Sequence, residues 1–179
     1  VILALTAAGY DVTNVAGYNL LEGLTSMTYL KKQGINGPIW ALIAYDSHDY
    51  AIPSGDGTVT RDTLIDTILA AQITDGGWNL DADATISDPD MTGMALQALA
   101  PYYNSDSEVK TAVNEALTCL SDAQNSDGGY SSSGDANSES VVQVIVALTA
   151  LGINPDSDSR FIKNGNSVLD SLYTYAVEG

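Results

Sequence analysis

The sequence predicts an all-α protein in which tandem helical hairpins set an inner layer of helices inside an outer one. Three observations predict it. A seven-residue turn occurs twice, as Gln72-Ile73-Thr74-Asp75-Gly76-Gly77-Trp78 and as Gln124-Asn125-Ser126-Asp127-Gly128-Gly129-Tyr130, each time closing an amphipathic pattern and preceding an apolar one. The helical patterns are of two kinds, one-sided and apolar nearly all round, as expected for outer and enclosed helices. The phrase VILALTAAG at Val1–Gly9 also returns as VIVALTALG at Val144–Gly152.

Taken in order, segment 1–8 is apolar all round, and Leu20, Leu21, Leu24 and Met27 follow with one-sided helical spacing. Segment 39–45 is again apolar, and Leu64, Ile65, Ile68 and Leu69 are one-sided. Segment 91–102 is apolar. Val109, Ala112, Val113, Ala116, Leu117 and Leu120 then step by three and four, leaving Glu108, Lys110, Thr111, Asn114 and Glu115 opposite. Segment 141–151 is the fourth apolar stretch, followed by Val168, Leu169, Leu172 and Tyr173. The expected inner–outer pairs are therefore 1–33, 38–72, 90–124 and 138–177. Val1 opens in mid-pattern without a cap, whereas the second copy of its phrase has a proper start at Ser138-Glu139-Ser140. A missing upstream piece is expected, and any signal peptide would have gone with it.

At 179 residues and 45% hydrophobic, the chain can bury one core, which favours a single domain over 1–179. Six Lys and Arg against 23 Asp and Glu give a net charge of -17, which repels nucleic acid phosphates and anionic membrane surfaces. The one cysteine, Cys119, excludes an internal disulfide and a thiolate metal cluster. No apolar run reaches the length of a membrane span.

With these turns and this layering, the chain resembles the prenyltransferase and squalene-cyclase repeat superfamily, whose members wind six helical hairpins into an α/α toroid. The resemblance covers the whole chain and rests on the Q-x-x-D-G-x-W turns, Gln72 to Trp78 and Gln124 to Tyr130. It is nearest to secreted or cell-surface bacterial members. It implies an incomplete toroid of four hairpins of the usual six, an extracellular or cell-surface setting, and a flanking segment or second chain completing the ring. It does not imply a reaction, because one fold hosts unrelated functions.

The turns themselves read as joints. Gly76, Gly77, Gly128 and Gly129 permit positive φ after a helix, Asp75 and Asp127 can accept from nearby amides, and Trp78 and Tyr130 can stack between hairpins.

Asp88-Pro89-Asp90-Met91-Thr92 looks like the D-x-D-D-T acid motif of terpene cyclases, with Asp90 as proton donor and Asp88 as its first carboxylate. Met91 replaces the third. A helix N-terminus would favour a charged Asp90 by about 0.3–1 kcal/mol, so helix capping is the simpler reading. Zinc prenyltransferases of the same fold bring His48 and Cys119 into question as ligands. A loop histidine and an outer-helix cysteine make a poor shared site, and Cys119 reads as a small buried hydrophobe.

A calcium loop at Ser54–Asp62 would need carboxylates at Ile52 and Thr63, so this is a loop with Thr60 or Arg61 opening the next helix. Asp156–Arg160 fails because Arg160 fills a ligand position. The nucleophile-elbow, zincin and phosphate-loop motifs do not occur. Neither metal nor cofactor is expected.

Two functional expectations follow. The first is a non-catalytic module that binds a small molecule or a protein through its concave side, with Trp40, Asp90, Met94, Gln97, Glu139 and Gln143 as the candidate lining. Core packing and capping would equally explain these residues. The second is a terpene-cyclase-like or carbohydrate-active enzyme using Asp90 with Asp88 or Glu139. A wide aromatic pocket would favour the enzyme, and packed Val and Leu side chains the scaffold. The apolar helix Val1–Ala8 is expected to leave an exposed patch unless a neighbour covers it.

Overall fold

A computed structural model describes residues 1–176. The chain forms two compact units, Val1–Ala70 and Ala71–Gly179, each considered by itself. The end of the fourth expected hairpin, Val177, lies outside the described residues. The fold is predominantly helical, and among the described residues the only sheet is a two-stranded hairpin.

In the first unit, α1 (Ile2–Ala7) ends where Gly9 takes a positive φ of 77° and the Tyr10 amide donates back to the Leu5 carbonyl at 2.9 Å. Helix α1 has no buried residue, and Val1 is 91% exposed. The expected outer partner over 20–33 is not one helix. It breaks into a 3₁₀ segment Leu20–Leu24, helix α2 (Met27–Leu30) and a second 3₁₀ segment Lys31–Gln33. Gly23 and the polar pair Thr25-Ser26 interrupt it, with the Thr25 hydroxyl donating to the Glu22 carbonyl at 2.9 Å.

Helix α3 (Asn36–Asp46) buries Ile39, Leu42, Ala44 and Tyr45 and packs against α4 (Arg61–Ala70), which buries Leu64, Ile65 and Ile68 as the spacing predicts. Arg61 ties their ends together. Its Nε donates to Asp46 Oδ1 at 2.7 Å, and its Nη2 to the carbonyls of Tyr45 and Tyr50 at 3.2 and 3.1 Å.

The second unit holds α5 (Pro89–Leu99), α6 (Ser107–Ala123), strands β1 (Ser131–Ser132) and β2 (Asp135–Ala136), α7 (Ser138–Ala150) and α8 (Val168–Tyr173). Helices α5 and α7 lie side by side, α6 packs on α5, and α8 packs on α7. Every apolar position named for α6 is buried and every polar one exposed. Helix α5 is enclosed on most sides, whereas α7 keeps an open strip at Val142 and Val146, 41% and 44% exposed. Its apolar composition therefore does not mean burial all round.

Helix α8 also departs from expectation. Its buried positions are Val168 and Ser171, the latter beside Gly129, while Tyr173 is 71% exposed.

The two seven-residue turns have one geometry. The Gln72 Nε2 donates to the Gly76 carbonyl at 2.7 Å and to the Ala112 carbonyl of α6 at 2.9 Å. Gln124 Nε2 repeats this toward Gly128 at 2.8 Å and Phe161 at 3.0 Å. Asp75 and Asp127 accept from the Gly77 and Gly129 amides at 3.1 and 3.0 Å. Gly76 and Gly128 sit at φ 94° and 84°, and Trp78 and Tyr130 are fully buried.

The repeat of Val1–Gly9 at Val144–Gly152 has a structural counterpart as well. Gly152 takes φ 73°, and the Ile153 amide donates to the Leu148 carbonyl at 2.9 Å, as Tyr10 does to Leu5. Each copy then enters a tight two-residue bridge, Val15 with Tyr18 and Lys163 with Asn166.

Candidate functional site at the heads of helices α5 and α7

The start of α5 is fixed by Asp88. Its Oδ1 accepts from the amides of Asp90 and Met91 at 2.9 and 3.1 Å, and Pro89 occupies the first turn, where a missing N–H costs nothing. Its Oδ2 accepts from the Ser132 hydroxyl on β1 at 2.5 Å. Both oxygens of Asp88 are therefore engaged in holding the helix head to the hairpin. Helix α7 starts likewise at Asn137, whose Oδ1 accepts from the amide and hydroxyl of Ser140 at 2.8 and 2.9 Å.

Asp90 is half-buried, and its Oδ1 is a buried oxygen without a hydrogen-bond partner. Desolvation pushes its carboxyl above the ordinary range, Asp88 and Glu139 push it further, and only the Ser140 hydroxyl opposes them. The cap of α5 is Asp88, as the capping reading of this motif expects. Glu139 is exposed and accepts from the Ser138 hydroxyl at 2.9 Å.

Further along, Gln97 Nε2 donates to Gln143 Oε1 at 2.8 Å and to the Gln143 carbonyl at 3.3 Å, linking α5 to α7. Below this pair the helices are in close contact. A Cβ on Gly93 would stand 3.0 Å from the Gln143 backbone, and Ala95, Leu96, Val144 and Leu148 are wholly buried. Met91, standing where a cyclase-type acid cluster would need its third carboxylate, is 4% exposed and belongs to the core.

The structure thus assembles Asp88, Asp90 and Glu139 at one end of the α5–α7 pair and joins Gln97 to Gln143. Trp40 stands on α3 in the first unit and is 39% exposed. Ser132, Asn137 and Ser140 were not legible as site residues. The Ser-Gly-Asp turn signal at 133–135 marks their hairpin, yet nothing in it tells which hydroxyl meets Asp88.

The arrangement offers a half-buried carboxyl whose pKa is raised by desolvation, an exposed carboxyl and two side-chain amides. That suits hydrogen bonding to a polar partner. In the first unit, Asp56 accepts from the Thr58 hydroxyl and amide, and the His48 ring lies 5.3 Å from that of Tyr50. Cys119 meets the Ser87 hydroxyl at 2.9 Å, and burial raises its thiol pKa, as for an unreactive cysteine. Among the described residues, no group of three His, Cys, Asp or Glu could hold a metal ion, and no helix is long and apolar enough to cross a membrane. The chain matches none of the protein-family models, curated proteins or solved structures with which it was compared.

Proposed function

We propose that the chain is a non-catalytic binding module, part of an α/α toroid of the prenyltransferase and squalene-cyclase repeat kind, from a bacterial secreted or cell-surface protein. One observation carries the non-catalytic reading. Where a cyclase would open a wide aromatic cavity, α5 and α7 meet backbone to backbone at Gly93 and fill the space between them with Ala95, Leu96, Val144 and Leu148. What remains for a ligand is the rim formed by Asp90, Gln97, Glu139 and Gln143, which favours a polar small molecule or a protein segment over a polyisoprenoid. A flanking segment or second chain would complete the ring beside the exposed α1.

The raised carboxyl of Asp90 favours a second reading, an enzyme of the terpene-cyclase-like or carbohydrate-active kind that uses it as an acid. One experiment separates the two. The protein is incubated with squalene, a prenyl diphosphate and soluble glucan oligosaccharides, and the mixtures are analysed by mass spectrometry. The binding-module reading expects each compound back unchanged. Turnover of any of them, lost in Asp90→Asn, would establish the enzyme instead.

A further inference from the structure

Three tight turns of the chain share a left-handed pair of central residues: Ala16-Gly17, Ser133-Gly134 and Asn164-Gly165, with φ of 52° and 88°, 54° and 91°, and 52° and 86°. Only the third carries a side-chain amide beside a glycine. Asn164 and Gly165 are both exposed, the space around Gly165 is open, and among the described residues the Gly165 amide donates no hydrogen bond. The turn is held by two backbone bonds, Lys163 to Asn166 and back, each 2.9 Å.

We propose that Asn164 is a site of spontaneous deamidation that loosens the second joint of the repeat. The Gly165 amide nitrogen gives up its proton to solvent base and attacks Cγ of Asn164. The new N–Cγ bond closes a succinimide, the Cγ–Nδ2 bond breaks, and Nδ2 leaves as ammonia with a proton from water. Water then opens the ring at either carbonyl, leaving aspartate or isoaspartate at position 164. In sum, one amide and one water become one acid and one ammonia. Opening the turn far enough for attack requires breaking its two backbone bonds and the bond from Asn164 Nδ2 to the Ser126 carbonyl, a local fluctuation well short of global unfolding.

The consequence lies in what Asn164 holds. Its Nδ2 donates to the Ser126 carbonyl at 3.2 Å, and Ser126 belongs to the turn that begins at Gln124. A carboxylate there turns a donor into an acceptor facing that carbonyl. The isoaspartate form also lengthens the backbone of a two-residue loop whose register depends on its length.

The chain contains its own control. Asn36-Gly37 has the same sequence, but it lies in the first turn of α3, where a Cβ on Gly37 would overlap the Leu30 carbonyl and Asn36 Oδ1 is buried. Reaction there requires α3 to unwind.

The test is peptide mapping by mass spectrometry, with isoaspartyl-methyltransferase labelling, of the intact chain aged in mildly alkaline buffer. Asn164 is expected to lose its amide at least about tenfold faster than Asn36 in the folded protein, with the two rates converging in denaturant. Asn164→Ala should abolish the labelling at position 164 while the far-UV spectrum is unchanged. Equal rates in the folded protein, or an intact Asn164 after Asn36 has reacted, would overturn the proposal.

Discussion

The side-chain amide of Gln124 reaches the carbonyl of Phe161, 37 residues further on, at 3.0 Å, while the same nitrogen closes its own turn on Gly128. Gln72 makes the corresponding bridge to Ala112. One residue type at one place in the turn thus links each turn to a later segment. Gln124→Ala removes the donor for two carbonyls inside a buried site and is expected to cost about 2–3 kcal/mol in denaturant unfolding. Gln72 is less buried, so Gln72→Ala should cost less. Equal and negligible losses would contradict the bridging role.

Gly128 combines a positive φ with a backbone neighbour, since a Cβ there would overlap the Ser167 carbonyl. Gly134 has a similar φ of 91° and open space around it. Gly134→Ala should therefore cost only the left-handed strain of about 1–2 kcal/mol. Gly128→Ala should cost at least about 1 kcal/mol more, because the neighbouring backbone has to move. Matching thermal unfolding curves for the two variants would rule out the close approach.

Much of this was legible beforehand, for physical reasons. Helix α6 has one wet face, so Val109 through Leu120 declare burial by spacing alone. The turns combine glycine, aspartate and an aromatic in an order that few backbones need. Segment 20–33 was misread because Leu20, Leu21, Leu24 and Met27 have helical spacing, and spacing does not register the break at Gly23 and Thr25-Ser26. The surroundings of Asp90 are not legible from sequence position, because its desolvation and the nearness of Glu139 depend on how α7 lies beside α5.

The raised carboxyl of Asp90 means that the folded state holds its proton more tightly than the unfolded chain does. This stabilisation is complete below the unfolded-state pKa and is lost as pH rises through the folded value. Asp90→Asn removes the titration, so its stability relative to the wild type should improve from acid toward neutral pH. Urea unfolding across that range measures it, and a pH-independent difference would show that Asp90 does not titrate differently on folding.

Arg61 holds the end of α3 to the start of α4 through hydrogen bonds to the Asp46 carboxylate and two carbonyls, with the exposed Asp49 carboxylate 3.5 Å away. Its guanidinium reaches all three because it is a planar fork with several donors. Arg61→Lys is expected to lose most of what Arg61→Ala loses, about 1–3 kcal/mol. The loss should persist in high salt, since it is hydrogen bonding more than long-range attraction. Full retention of stability in Arg61→Lys would show that charge alone suffices.

The central claim is that the repeated turns are joints between successive hairpins, and hydrogen exchange tests it most directly. Backbone exchange of Gln124→Ala is compared with the wild type by mass spectrometry. The account predicts faster exchange confined to residues 124–130 and to the segment from Phe161 through α8, with α5 and α6 protected as before. A uniform loss of protection along the second unit, or none at all, would contradict it.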